Sequence, residues 1–132
     1  MTVKRLLIGA GAVALTSGSL VLAAPAAAAQ STNVVPIHLY SYGYAPSPIV
    51  LRAGVPVTLV FENVSGSGHT FKAPAFFATS KMMSGMTMQG EVHVMPHKSM
   101  SVTLVPARGT YPVHCSHFFH DQLGMHSVIY VQ

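Results

Sequence analysis

Apolar and polar positions alternate along most of the chain from residue 34 onward. Residues 55–62 place Val55, Val57, Leu59 and Phe61 on one face, a period of two that predicts a half-buried strand. The same alternation runs through residues 91–95 and through Met100, Val102 and Leu104. β-Branched and aromatic residues predict further strands at residues 34–40, 49–52, 111–115 and 126–131, with a short extended piece at 70–72. Turn signals separate them: Gly43, Pro46 and Pro48 in residues 42–48, a Gly/Ser loop at 63–68, and breaks at 96–98 and 107–110. Residues 73–90 show no period, and residues 118–125 read as a loop with room for one helical turn. Seven or eight short strands punctuated in this way predict an all-β, antiparallel sandwich or barrel. No long helical period, internal repeat or second domain is visible in this part of the chain.

The first residues follow another pattern. Lys4 and Arg5 precede an apolar run from Leu6 to Leu15, then a small polar break, then alanines around Pro25. A basic start, an apolar middle and small residues at the end are the marks of a secretory leader. Ala27 and Ala29 form an A-x-A pair, so residues 1–29 read as signal peptide and residues 30–132 as the mature domain. The competing reading is a retained anchor, because residues 6–29 carry no charge and are long enough to cross a bilayer. The Thr-Ser-Gly-Ser interruption and the alanine content favour cleavage, and with it a periplasmic or secreted protein.

Composition narrows the chemistry. The chain has 132 residues and a net charge of +4; five basic and three acidic residues remain after residue 29, giving +2. The basic residues beyond the leader are scattered singly, which argues against nucleic-acid binding. Glu62, Glu91 and Asp121 are too few and too dispersed for a paired-carboxylate hydrolase. Cys115 is the only cysteine, so no internal disulfide forms. Eight histidines and eight methionines stand against those three carboxylates.

The donors converge near the C-terminus. Cys115 is followed by His120 at +5 and Met125 at +10, and His69 stands upstream after the Gly/Ser loop. Two imidazoles, a thiolate and a thioether are soft to borderline donors. A trigonal His-His-Cys set with a weak axial Met is the ligand arrangement of a blue-copper electron-transfer site.

With Phe61-Glu62-Asn63, Gly68-His69-Thr70-Phe71 and the Cys-x4-His-x4-Met motif in place, the chain resembles the cupredoxins, the plastocyanin/azurin class, over residues 34–132. The resemblance implies a Greek-key β-sandwich and one type 1 copper cycling between Cu(I) and Cu(II). It implies copper ligation by His69 and His120 through ring nitrogens, by Cys115 through its thiolate and by Met125 axially. It also implies a hydrophobic exit surface beside the second histidine, for which Phe118, Phe119 and Leu123 are candidates, and redox or copper-handling proteins as partners of a monomer. Two departures stand out. His117 at Cys+2 is an additional donor, and Thr70 replaces the Asn or Ser that often follows the upstream histidine, with a hydroxyl still able to brace the ligand loop.

Met82, Met83, Met86 and Met88 precede His93, Met95, His97 and Met100. Thioethers and imidazoles select Cu(I), so one expectation is a weaker second copper site, with His93, Met95 and His97 on one strand face. The other is that these methionines fill gaps in a loop and the core. Three functions follow: an electron carrier, a copper-trafficking, storage or resistance protein using the same site plus the Met/His-rich residues 82–100, and a copper enzyme. The run His114-Cys115-Ser116 lacks the second histidine of a bridging His-Cys-His, which counts against the enzyme.

Overall fold

A computed structural model describes residues 33–132 and, upstream of them, Gly9 and Gly11. The expected signal peptide therefore lies outside the described residues. Ten strands and one short helix follow in order: β1 Asn33–Tyr40, β2 Gly43–Ala45, β3 Ile49–Leu51, β4 Val57–Asn63, β5 His69–Lys72, α1 Pro74–Thr79, β6 Lys81–Ser84, β7 Glu91–Val94, β8 Ser99–Val105, β9 Gly109–His114 and β10 His126–Val131. Among the described residues, no helix is long and apolar enough to cross a membrane.

The strands form two five-stranded sheets, β2-β1-β4-β8-β6 and β3-β10-β9-β5-β7. Most pairs are antiparallel, as the sandwich expectation required. Two are parallel, β1 with β4 and β3 with β10, so both sheets are mixed. The inner faces meet in one core. Val57, Leu59 and Phe61 of β4 and Val102 and Leu104 of β8 are buried there, as the period of two predicted, whereas Val55 and Met100 at the ends of those patterns are exposed.

An aromatic column runs through this core. Phe71 packs on Phe61 at 4.7 Å between centroids, on Tyr44 at 5.5 Å and on Phe77 at 6.2 Å. Phe76 and Phe77 come from α1, in the stretch that showed no period. Pro74 starts this helix, where its fixed φ and missing N–H cost nothing. Six residues are too few to produce a readable helical period, so the aromatic pair anchors the helix instead. Phe76 in turn touches Tyr111, whose hydroxyl donates to the Ala107 carbonyl at 3.0 Å.

β2 and β6 were not expected. Three-residue β2 lies within the Gly/Pro turn region and is held by pairing with β1. All four residues of β6 are exposed, and the strand owes its form to pairing with β8. Such edge strands draw on tertiary hydrogen bonding rather than on local pattern.

Leu104 is fully buried between the sheets. Leu104→Ala is expected to cost about 2–5 kcal/mol, read as a lower urea midpoint with an unchanged m-value.

Candidate metal centre

Three donor residues meet at one end of the sandwich. His69 opens β5, Cys115 directly follows β9, and His120 lies in the β9–β10 connection. One donor atom from each falls within 4.8 Å of the others, and no other His/Cys/Asp/Glu group of this kind occurs among the described residues. Cys115 Sγ lies 3.4 Å from His120 Nδ1.

Local hydrogen bonds explain the position of each side chain. The 115–125 loop is closed at its base, where the Cys115 N–H donates to the Met125 carbonyl at 3.1 Å. Inside it, the N–H groups of His120 and Met125 donate to the carbonyls of His117 and His120, at 3.1 and 3.0 Å. The Leu123 N–H also donates to the Phe119 carbonyl at 3.0 Å, so the loop is a chain of turns that includes one i→i+4 turn of the kind for which the sequence left room. Met125 is fully buried, and its backbone sits against Cys115.

His69 is placed from the other side. Asn63 is buried at the end of β4, and its side-chain amide donates to the carbonyls of Ser67 and Val94, at 2.7 and 2.9 Å. Its side-chain oxygen accepts from the Ser65 N–H at 3.0 Å, an Asx turn that fixes the Gly/Ser loop leading into β5. His69 Nε2 pairs with Ser41 Oγ at 3.2 Å. With Nε2 donating to Ser41, Nδ1 carries the ring lone pair, and this buried Nδ1 has no hydrogen-bond partner among the described residues. Leaving a buried polar atom unmatched costs about 1–3 kcal/mol. A cation bound by His69 through this nitrogen would remove that cost.

Thr70 joins the two halves. Its hydroxyl accepts from the Ser116 N–H at 2.8 Å and approaches Cys115 Sγ at 3.6 Å as a weak donor. Glu91, buried on β7 opposite Lys72, accepts from the Ser116 hydroxyl and lies 3.9 Å from Lys72 Nζ and 3.6 Å from His93 Nε2.

The electrostatics favour neutral imidazoles. Burial lowers the pKa of His69, helped by the neighbouring His120 and His117, and burial and His117 lower that of His120. Both keep a lone pair for a cation. At Glu91 burial acts upward, but the hydrogen bond from Ser116, the nearby Thr70 hydroxyl and the charges of His93 and Lys72 outweigh it and hold the pKa below 4.5.

His69, Cys115 and His120 come together, and Met125 adjoins Cys115 through its backbone. His117 is exposed, with its ring 5.2 Å from that of His120, and stands outside the donor group. Phe118, Phe119 and Leu123 are 83%, 57% and 57% exposed on the same loop. His93, Met95 and His97 do not share a strand face. β7 ends at Val94, and His97 sits in a turn at φ 56°. Nor do the methionines before Met125 fill the core, since Met82, Met83, Met86, Met88, Met95 and Met100 are all exposed. Ser41 and Glu91 were missed. A serine in a turn and a lone glutamate carry no local signal of their role.

The family described as "Cupredoxin-like domain" matches residues 11–131. Among curated proteins, none matches this sequence. Solved structures share the fold. Reduced auracyanin from Roseiflexus castenholzii is 19% identical with a TM-score of 0.57, covering 76% of this chain and 98% of that one. Auracyanin A, a "blue" copper protein from Chloroflexus aurantiacus, is 17% identical with a TM-score of 0.54, covering 75% of this chain and 98% of that one. The McoA multicopper oxidase from Aquifex aeolicus is 14% identical with a TM-score of 0.59 over 77% of this chain, which spans only 30% of that enzyme.

The Glu91 carboxylate has a pH signature. Its folded pKa is depressed, so its stabilisation is fully present above its ordinary value of 4.5 and is lost as pH falls through the lower folded value. Urea midpoints measured from pH 6 down to about pH 3 should fall along an acid limb. Glu91→Gln should flatten that limb while lowering stability at neutral pH.

Proposed function

The chain belongs to the cupredoxin-like family, and from that premise we propose that it is a one-electron carrier working outside the cytoplasm. His69, Cys115 and His120 hold a single copper, with Met125 as the weak axial donor. The observation that carries this reading is the convergence of one donor atom each from His69, Cys115 and His120 within 4.8 Å, at a place where His69 Nδ1 is buried and unmatched. Bound there, copper supplies a Cu(II)/Cu(I) couple that takes up and releases one electron.

The protein's part is to hold the donors still. The rigid β5 start and the closed 115–125 loop present them in one arrangement, so little rearrangement accompanies a change of charge. Thr70 approaches the Cys115 sulfur and Ser41 orients the His69 ring, contacts of the kind that tune a bound metal. Burial of His69, Cys115 and Met125 excludes water from that side of the site.

His120 is the half-buried member and faces the surface side. Tyr42 packs edge-on against its ring at 5.0 Å, and Phe118 and Phe119 lie against each other at 4.0 Å in the same loop. This apolar rim is where a redox partner docks and where the electron crosses. Ser116, held by Glu91, follows Cys115 where an oxidase-type bridge needs a second histidine, which supports carriage over catalysis. A second reading, copper handling, is favoured by the exposed methionines of residues 82–100. Cleavage after Ala29 would leave residues 30–132 as the working domain.

Titration with Cu(II) should give an intense blue band saturating at one equivalent. Cys115→Ala should abolish it, and a blue band surviving in that variant would overturn the site assignment. Met125→Leu should keep the colour and raise the reduction potential, read by voltammetry, because a donor to Cu(II) is lost. Mass spectrometry of the exported protein should find Gln30 as its first residue; a retained leader would favour the anchor.

A further inference from the structure

Six methionines, Met82, Met83, Met86, Met88, Met95 and Met100, are 38–80% exposed. A large thioether in water forgoes the burial that usually places methionine in a core. Three of the six are gathered rather than scattered. Met86, Met88 and Met100 line one open cleft of about 230 Å³ together with Glu91, Val92 and His93.

The backbone around this cleft is built, not slack. Met88 and Glu91 exchange hydrogen bonds, the Met88 N–H to the Glu91 carbonyl at 2.9 Å and the Glu91 N–H to the Met88 carbonyl at 3.0 Å. Gln89 and Gly90 between them have φ of 52° and 75°, which makes a tight turn of the primed type. At Gly90 a side chain would collide with the Pro74 backbone, 2.4 Å from the position of its Cβ. At Gly85, φ is 87° and a Cβ would lie 2.6 Å from the Ser101 carbonyl. Two glycines thus pin both ends of the segment that carries Met86 and Met88. Met100 is supplied by β8 and His93 by β7.

His93 stands beside a buried carboxylate, its Nε2 3.6 Å from Glu91 Oε1, which is an electrostatic neighbour and longer than a hydrogen bond, so the imidazole remains available to a metal. Glu91 itself is committed to Ser116, with Lys72 nearby, so it supplies negative charge to the cleft rather than binding an ion. Three thioethers and one imidazole select a soft monovalent ion.

We propose that this cleft is a second metal site, a Cu(I) site formed by the thioethers of Met86, Met88 and Met100 and the imidazole of His93. It shares no donor with the His69–Cys115–His120 centre and stands whether or not that centre carries electrons. It takes only the reduced ion, so the blue band still saturates at one Cu(II). The His93, Met95, His97 face expected from strand periodicity is replaced by donors from three separate segments.

The test is anaerobic Cu(I) titration of the full mature chain against a colorimetric chelator. The wild type should bind a second equivalent. Replacing Met86, Met88 and Met100 with Leu should remove it and leave the blue Cu(II) band intact, whereas Cys115→Ala should keep it. His93→Gln, at an exposed position, should weaken it by at least about tenfold. With carbon-13 methyl labels and Ag(I) as a redox-silent probe, the methyl signals of Met86, Met88 and Met100 should shift. A wild type that binds one equivalent, or a second equivalent that survives the triple leucine variant, would overturn the site.

Discussion

The metal centre depends on the meeting of two chain segments that are far apart in sequence, and one hydroxyl makes the joint. Thr70 Oγ1 accepts from the Ser116 N–H and points its own weak hydrogen bond at Cys115 Sγ. β5 and β9 share a single register pair, Lys72 with His114. Beyond it the sheet stops supplying backbone partners, and the side chain of Thr70 continues the job.

The centre is assembled at an unfavourable moment of the polypeptide's economy. An imidazole nitrogen is buried unmatched, two histidines are pressed toward neutrality, and a thiol is kept out of water. Such arrangements persist when the surrounding structure over-determines them. Here the Asx turn at Asn63, the base pair between Cys115 and Met125, and the aromatic column under Phe71 do so together. The donors are thereby held ready, and a bound cation finds little left to rearrange.

Methionine serves two opposite purposes in one small domain. Met125 is sealed in the core beside Cys115, where its environment is dry and its position fixed by backbone bonds. Met86 and Met88 are displayed on a turn pinned by glycines, open to solvent. Glu91 stands between the two regions. One of its neighbours, Ser116, adjoins Cys115, and another, His93, lines the methionine cleft. A single buried carboxylate thus borders both sets of soft donors.

Much of this was legible in the order of residues. Alternation along β4 and β8 follows from having one face on a core, a local constraint that leaves a local trace. The Cys-x4-His-x4-Met spacing is equally local, because one short loop must present three donors from a strand end. Other features had no such trace. β6 exists because β8 offers it an edge, and α1 because Phe76 and Phe77 find the aromatic column. Ser41 meets His69 across 28 residues and Glu91 meets Ser116 across 25, contacts that no window of sequence contains. The grouping of Met86, Met88, Met100 and His93, and the exclusion of Met95 and His97, came from where β7 ends and two glycines turn the chain. Sequence by itself determined the strands with a buried face and the donor types. Tertiary structure alone decided which donors share a site, because that depends on hydrogen bonds between segments whose separation along the chain carries no information about their distance in space.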